Sequence, residues 1–501
     1  MPFPYTFPFT FEDYKLIAQC DWNNDGNWAE DGDYLSDRGY SRTPISVHRG
    51  RDQIRQLAPP MVGSASFDLN NLSQDYSVEN ANSPLSGKLL PGRPVRIRRT
   101  QGANVVDLFN GYLDDIPQHA ERETRTVSMP CLGALSCLKG QATGQNISTA
   151  LYQSITTDVA LGYILDAVGF PSSKRILDTG QTTIDWWWLD NEDAFSAAVT
   201  LLNCEGPGAA LYEDASGNVV FESRKYRMVT ARCVSSQATF RDSGTEPVFS
   251  PPFSYDPRLK DVINVCTVTQ KTRAIAASLT AVWSLGSTVT LAPNQVGTYV
   301  AKGSDIFTQA VAPVGGTDYT VTSGSVSSAT LDRTSGASCT ITITAGANGA
   351  TLTGLQLRAK LVSITNTTNV TNTVDTTSSQ SIYGKRVYPL ATRAEIAVGA
   401  LQDFCNAVVG MYQNPRPIAE VTLYGTDATQ WNQVLNRQIS DRVTVVEAQT
   451  GVNADFFIEQ VSHELTYGGK LHAAKFGMEK AAAGTYLVWG TGVWGTGLWG
   501  Y

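Results

Sequence analysis

Between residues 274 and 377 the chain almost loses its charges: Lys, Arg, Asp and Glu become sparse, and Thr, Ser, Val and Gly take over. Within that stretch "GSTVTLAP", "GTDYTVTSG", "SCTITITAGANGATLTG" and "LRAKLVSIT" alternate apolar and small polar residues. A period of two places one set of side chains on each face of a strand, so these runs fold as strands spaced as in a small sandwich. The alternative is a Ser/Thr-rich disordered linker, which the regular Val, Ile and Leu positions disfavour. We therefore expect an immunoglobulin-like β-sandwich at 274–377, inserted into another domain. Its flanks, "DVINVCTVT" and "SQSIYGKR", should then lie side by side.

Outside the insert the chain reads as mainly β with α+β parts. "PVRIRR" (94–99) and "VVDLFNGYLDDI" (105–116) are strand-like runs punctuated by Gly and Pro. "SITTDVALGYILDAVGFPSS" has helical spacing through Val159, Tyr163, Ile164 and Val168, and Gly169 and Pro171 stop it. "DNEDAFSAAVTLLNCEG" starts a second helix, with Asp190 placed to cap it, Asp193 in its first turn and Gly206 after its end. Ser216-Gly217-Asn218 turns a hairpin. Thr392 and Glu395 form a capping box for a third helix, over 392–412, whose face is Ile396, Ala400, Phe404 and Val408. The closing strands include a pair joined through Tyr467-Gly468-Gly469-Lys470.

Composition narrows function. The 501 residues are 42% hydrophobic and 17% charged, enough for several cores. A net charge of -8 with no basic block argues against tight nucleic-acid binding. No apolar run is long enough to span a bilayer, and "MPFPYTFPFTFEDY" lacks the pattern of a signal peptide. The eight cysteines form no CxxC pair and read as buried free thiols.

Five features carry potential chemistry. Asp21, Asn23, Asp25 and Gly26 match the opening of a calcium loop, but Gly32 occupies the slot of the closing Glu. A turn held by local side-chain hydrogen bonds explains the same residues. "TTIDWWWLDNEDAF" sets Asp185, Asp190, Glu192 and Asp193 beside three tryptophans, the materials of a glycosidase, although helix capping uses two of those acids. His463 and His472, with Glu464 between them, sit diagonally across a hairpin, where a sheet-surface role is expected over a metal site. The arm "FPYTFPFTF" offers Phe3, Tyr5, Phe7, Phe9 and Phe11 alternating with Pro or Thr, which suits an edge strand lying across a partner. The tail "LVWGTGVWGTGLWGY" repeats Trp489, Trp494 and Trp499 every five residues, with Gly spacers that let the indoles face one groove. Both aromatic termini are expected to bind partners.

A resemblance joins several of these stretches. "SPLSGKLLPGRPVRIR" followed by "VDLFNGYLDDI" resembles the N-terminal domain of minor tail proteins of long-tailed bacteriophages. "SQSIYGKRVYPL", "ISDRVTVVEAQTGVNADFFIEQVSHEL" and the helix–hairpin "DAFSAAVTLLNCEGPGAALYEDASGNVVFESR" resemble segments of the baseplate hub, or tail-tip, family. The resemblance covers most of 1–273 and 378–480.

It implies a homotrimer whose chains each carry two tube-like β-barrel domains, converting sixfold tail-tube symmetry to threefold and letting DNA pass. It places the first barrel at 1–135 and an α/β hub domain at 136–235. The second barrel falls at 236–273 with 378–480; the Trp-Gly residues themselves, outside the resemblance, mark a docking tail at 481–501. The implied partners are distal tail and other tail-tip proteins, a central fibre and the tape measure protein, with phage DNA only in transit. The implied location is the virion tail tip, assembled in the host cytoplasm, with no enzymatic activity, no cofactor beyond the calcium alternative and no stable membrane insertion. The rival readings are a carbohydrate-binding adhesin and a cell-wall hydrolase.

Overall fold

The computed structural model describes residues 14–29, 44–120, 124–140, 145–244, 247–373, 379–389, 395–396, 398–481, 486–487 and 498–499. Its largest unit is a thirteen-stranded sheet that draws on both ends of the chain. Across the sheet the order is Leu16–Cys20, Pro94–Gln101, Asn104–Leu113, Arg125–Gly133, Ser64–Asn70, Ile45–Gly50, Val452–Thr466, Leu471–Lys480, Ile418–Tyr424 and Ser250–Asp256. Three further strands branch from this path: Gln118–Ala120, Thr239–Arg241 and Arg442–Glu447.

This arrangement corrects the expected pair of tube-like barrels. Among the described residues no sheet closes on itself: Leu16–Cys20 pairs only with Pro94–Gln101, and Ser250–Asp256 only with Ile418–Tyr424, so the sheet they form has two open edges. The two β-rich blocks are continuous because Ile45–Gly50 pairs antiparallel with Val452–Thr466, from Ile45 opposite Leu465 to Gly50 opposite Gln460. Alternation identifies strands but not their partners, and a barrel exists only where the first and last strands bond. At the Gly50 end of the seam the backbones come close. A Cβ on Gly50 (φ 126°) would lie 2.3 Å from the Glu459 carbonyl oxygen, which excludes any side chain there.

A second core gathers three helices, Thr157–Ala167, Ala194–Glu205 and Val398–Tyr412, around Ile164, Leu201, Phe404 and Val408. The first helix buries Thr157, Ala160, Leu161, Ile164 and Leu165, while Val159 is exposed. The true apolar face is thus rotated from the one read through Val159 and Val168. In the second helix Asp193 is the N-cap, its carboxylate accepting from the Ser196 amide at 2.7 Å. The third helix begins at Val398, because Glu395–Ile396 is extended and pairs with Thr183–Asp193. Thr392, the other half of the expected capping box, lies outside the described residues.

The insert forms two sheets that share one apolar core, with Ile341, Ile343 and Leu352 from one and Phe307, Leu357 and Ala359 from the other. It joins the rest through two long strands, Val265–Ile275 and Gln356–Thr373, paired from Val265 opposite Thr373 to Ile275 opposite Val362. The two flanks meet at buried Asn264, whose side chain bonds Ser379, Gly384 and the Arg386 amide. Among the described residues no helix is long and apolar enough to cross a membrane.

Candidate functional site

The tryptophan run occupies one strand, Thr183–Asp193, at the junction of the insert and the helical core. It walls a cleft of about 750 Å³. Trp186 is buried against Ile306 and Val362 of the insert. Trp187 points into the helical core. Trp188 packs so tightly on Gly336 that a Cβ there would lie 2.6 Å from the Trp188 Cβ.

Two of the four acids weighed for glycosidic cleavage, Asp190 and Asp193, are committed elsewhere. Asp190 pairs with Lys302 of the insert at 2.7 Å and accepts from Ser338. Burial pushes its carboxyl up, but hydrogen bonds from Lys302, Ser335 and Ser338 outweigh that and hold it below the usual range. Asp193 caps its helix, and Asp185 is raised by burial. Arg273, which sequence reading passed over, bridges Glu395 at 2.6 Å and Asp305 at 2.8 Å, with its guanidinium 5.3 Å from the Trp188 ring centre. Burial raises the Glu395 carboxyl, and Arg273 pulls it part of the way back. The cleft is therefore a mechanical joint between the insert and the helical core. One signal could have found it: Arg273 and Lys302 are among the few charges that survive in or beside a charge-poor stretch.

The Asp21 turn spends its oxygens on the backbone. Buried Asp21 accepts from the Gly26 amide at 2.8 Å and the Asp25 amide at 3.3 Å. Asp25 accepts from the Asn27 amide, and Asn23 is half-buried. A calcium ion at Asp21, Asn23 and Asp25 would have to compete with those donors. Among the described residues no group of three or more His, Cys, Asp and Glu could hold a metal ion.

His463 and His472 depart from the sheet-surface expectation. Both are buried, with Nδ1 of His463 3.0 Å from Nε2 of His472. Burial pushes His463 down to about 3, and His472 also falls well below the usual range. The pair stays neutral because burial, with Trp431 against His472, disfavours the charged forms, and the guanidinium groups of Arg49 and Arg99 oppose further positive charge.

Sequence reading also missed a buried ionic network across the sheet. Glu459 takes Arg51 at 2.8 Å and is bonded by Arg227, while Arg232 reaches Glu222 at 2.7 Å and Asp441 at 2.9 Å. Phe3, Tyr5, Phe7, Phe9, Phe11, Trp489 and Trp494 lie outside the described residues. The backbone of Leu498–Trp499 pairs in parallel with Tyr486–Leu487.

No family model matches the chain, and no curated protein matches it. Among solved structures the chain is similar in fold to the tail protein from Neisseria meningitidis MC58, with a TM-score of 0.50 at 10% identity, covering 93% of this chain and 96% of that one. Two others are the 43 kDa tail protein of prophage MuSo2 from Shewanella oneidensis (TM-score 0.47, 13% identity, 93% and 98% covered) and prophage tail protein gp18 from Listeria monocytogenes EGD-e (TM-score 0.43, 10% identity, 93% and 94% covered).

Proposed function

We propose that this chain is a structural, non-enzymatic subunit of a phage tail tip or baseplate hub. Three copies form a ring that joins the tail tube to the threefold tip and leaves a channel for DNA. The observation that carries this reading is the fold likeness to a tail protein across nearly the whole of both chains. Two features support it. Among the described residues the sheet ends in two open edges that suit strand contacts with neighbouring subunits, and the net charge of -8 suits a wall past which DNA slides. Its partners are other tail-tip and distal tail proteins, the central fibre and the tape measure protein, engaged in part by the aromatic arm and the Trp-Gly tail. Electron-microscopy class averages of the purified protein should show a threefold ring, and mass photometry of tail-tip fragments should give multiples of three. A stable monomer in assembled tips would sink the proposal. Replacing Trp489, Trp494 and Trp499 together by Ala should leave the subunit folded and trimeric but impair tip assembly.

A further inference from the structure

Where Val387–Pro389 pairs with the attachment strand Val265–Ile275, three segments distant in sequence meet around a cleft of about 610 Å³. Arg55 comes from the first, Lys260 and Asp261 from the second, and Lys385, Arg386 and Tyr388 from the third. The cleft is thus cationic in a chain whose net charge is -8. Among its described lining residues the one acid, Asp261, is paired with Arg258 at 3.1 Å. Lys260 and Lys385 are exposed and have no ion-pair partner among the described residues.

The two arginines are held in place. Asn264, fully buried, fixes the third segment by accepting from the Arg386 amide at 2.8 Å and donating to the Gly384 carbonyl at 2.8 Å. The Arg386 Nε donates to the Tyr383 carbonyl at 3.0 Å, which steers its guanidinium. Arg55 donates to the Asp261 carbonyl at 3.0 Å and lies 4.9 Å over the Tyr412 ring. Four like charges gathered in a concavity repel one another, and an anion seated among them removes that cost. Arg supplies a planar fork and Lys a point charge, the combination that suits a tetrahedral oxyanion. The volume is in the range that holds an organic ligand, and the half-buried Tyr388 with the exposed Val387 gives it an apolar side.

We propose that this cleft binds a phosphate ester carried on a sugar, with Lys260, Lys385 and Arg386 on the phosphate and Tyr388 against the ring. The test is calorimetric titration of the full chain at low salt with glucose 6-phosphate, inorganic phosphate and glucose. Glucose 6-phosphate should bind with a dissociation constant of about 1 mM or tighter, inorganic phosphate more weakly, and glucose not at all. The double variant Lys260→Ala/Lys385→Ala should lose roughly tenfold or more, Arg386→Ala a similar factor, and Lys88→Ala, which lies away from the cleft, nothing. The site is overturned if the double variant binds as the native chain does, or if no phosphate compound binds. Inorganic phosphate binding as tightly as glucose 6-phosphate overturns the sugar. Tighter binding of a short single-stranded oligonucleotide at the same residues overturns the ligand class in favour of nucleic acid.

Discussion

The thirteen-stranded sheet and the insert are both built mainly of antiparallel strands, yet different chemistry holds them. The insert is closed by Ile, Leu, Val and Phe, and its buried acid, Asp318, is answered by Arg358 within the same module. The large sheet is stitched across its seam by charges from remote segments: Arg51, Arg227 and Glu459, and then Glu222, Arg232 and Asp441. A segment contiguous in sequence can close itself with apolar alternation alone. A sheet assembled from both ends of a chain has many possible pairings, and buried charges that need one particular partner penalise the wrong ones.

The contrast breaks first at Glu459. Glu459→Ala strands Arg51 and Arg227 in the interior, and the large sheet should lose about 3–5 kcal/mol while the insert keeps its own melting transition. Scanning calorimetry reads both, and equal losses in the two transitions would dissolve the distinction. Within the insert, Ile341→Ala removes a fully buried side chain and should lower only the insert's transition, by about 3 kcal/mol.

Acidification sharpens the comparison. The unfolded chain binds protons at His463 and His472 below about 6.5, whereas the folded pair, with His463 near 3, does not. Protons taken up by the unfolded state favour it, so the large sheet's stability is intact above 6.5 and declines as pH falls toward about 3. The loss due to His463 should reach about 2 kcal/mol between pH 6.5 and pH 5. Glu213 works in the opposite sense: burial raises it to about 7, so its stabilisation is complete below the ordinary carboxylate range and fades as pH rises through that value. Urea denaturation of His463→Gln beside the native chain isolates the His463 part, which should vanish in the variant. All four histidines lie outside the insert, whose transition should stay flat over the same interval. The smallest effect is expected at Asp193→Ala, which loses one helix cap, about 1 kcal/mol, in the helical core alone. Circular dichroism melts measure it.

Much of the local structure was legible. The Ser216-Gly217-Asn218 turn stands between Ala210–Glu213 and Val219–Glu222, with Gly217 at φ 75°. The Tyr467–Lys470 turn joins Val452–Thr466 to Leu471–Lys480 with three successive positive φ values. The second helix was legible too, but its cap is Asp193 rather than Asp190. Asp190 lies within the strand Thr183–Asp193, three residues before the cap position, and pairs with Lys302 instead. The joint at the tryptophan run was half legible: its indoles stood out, while their partners on the insert did not.

What the amino-acid sequence determined by itself was most features with a short period or a local partner: alternating strands, the charge-poor insert, the presence of the helices and the glycine turns. Those depend on backbone sterics and on side chains a few residues apart. What only the tertiary structure decided was which strands became neighbours. That choice merged two expected barrels into one open sheet, buried His463 and His472, and gave Glu459 its two arginines. Pairing at such separations is set by the free energy of the whole packed assembly, to which no single stretch of sequence holds the key.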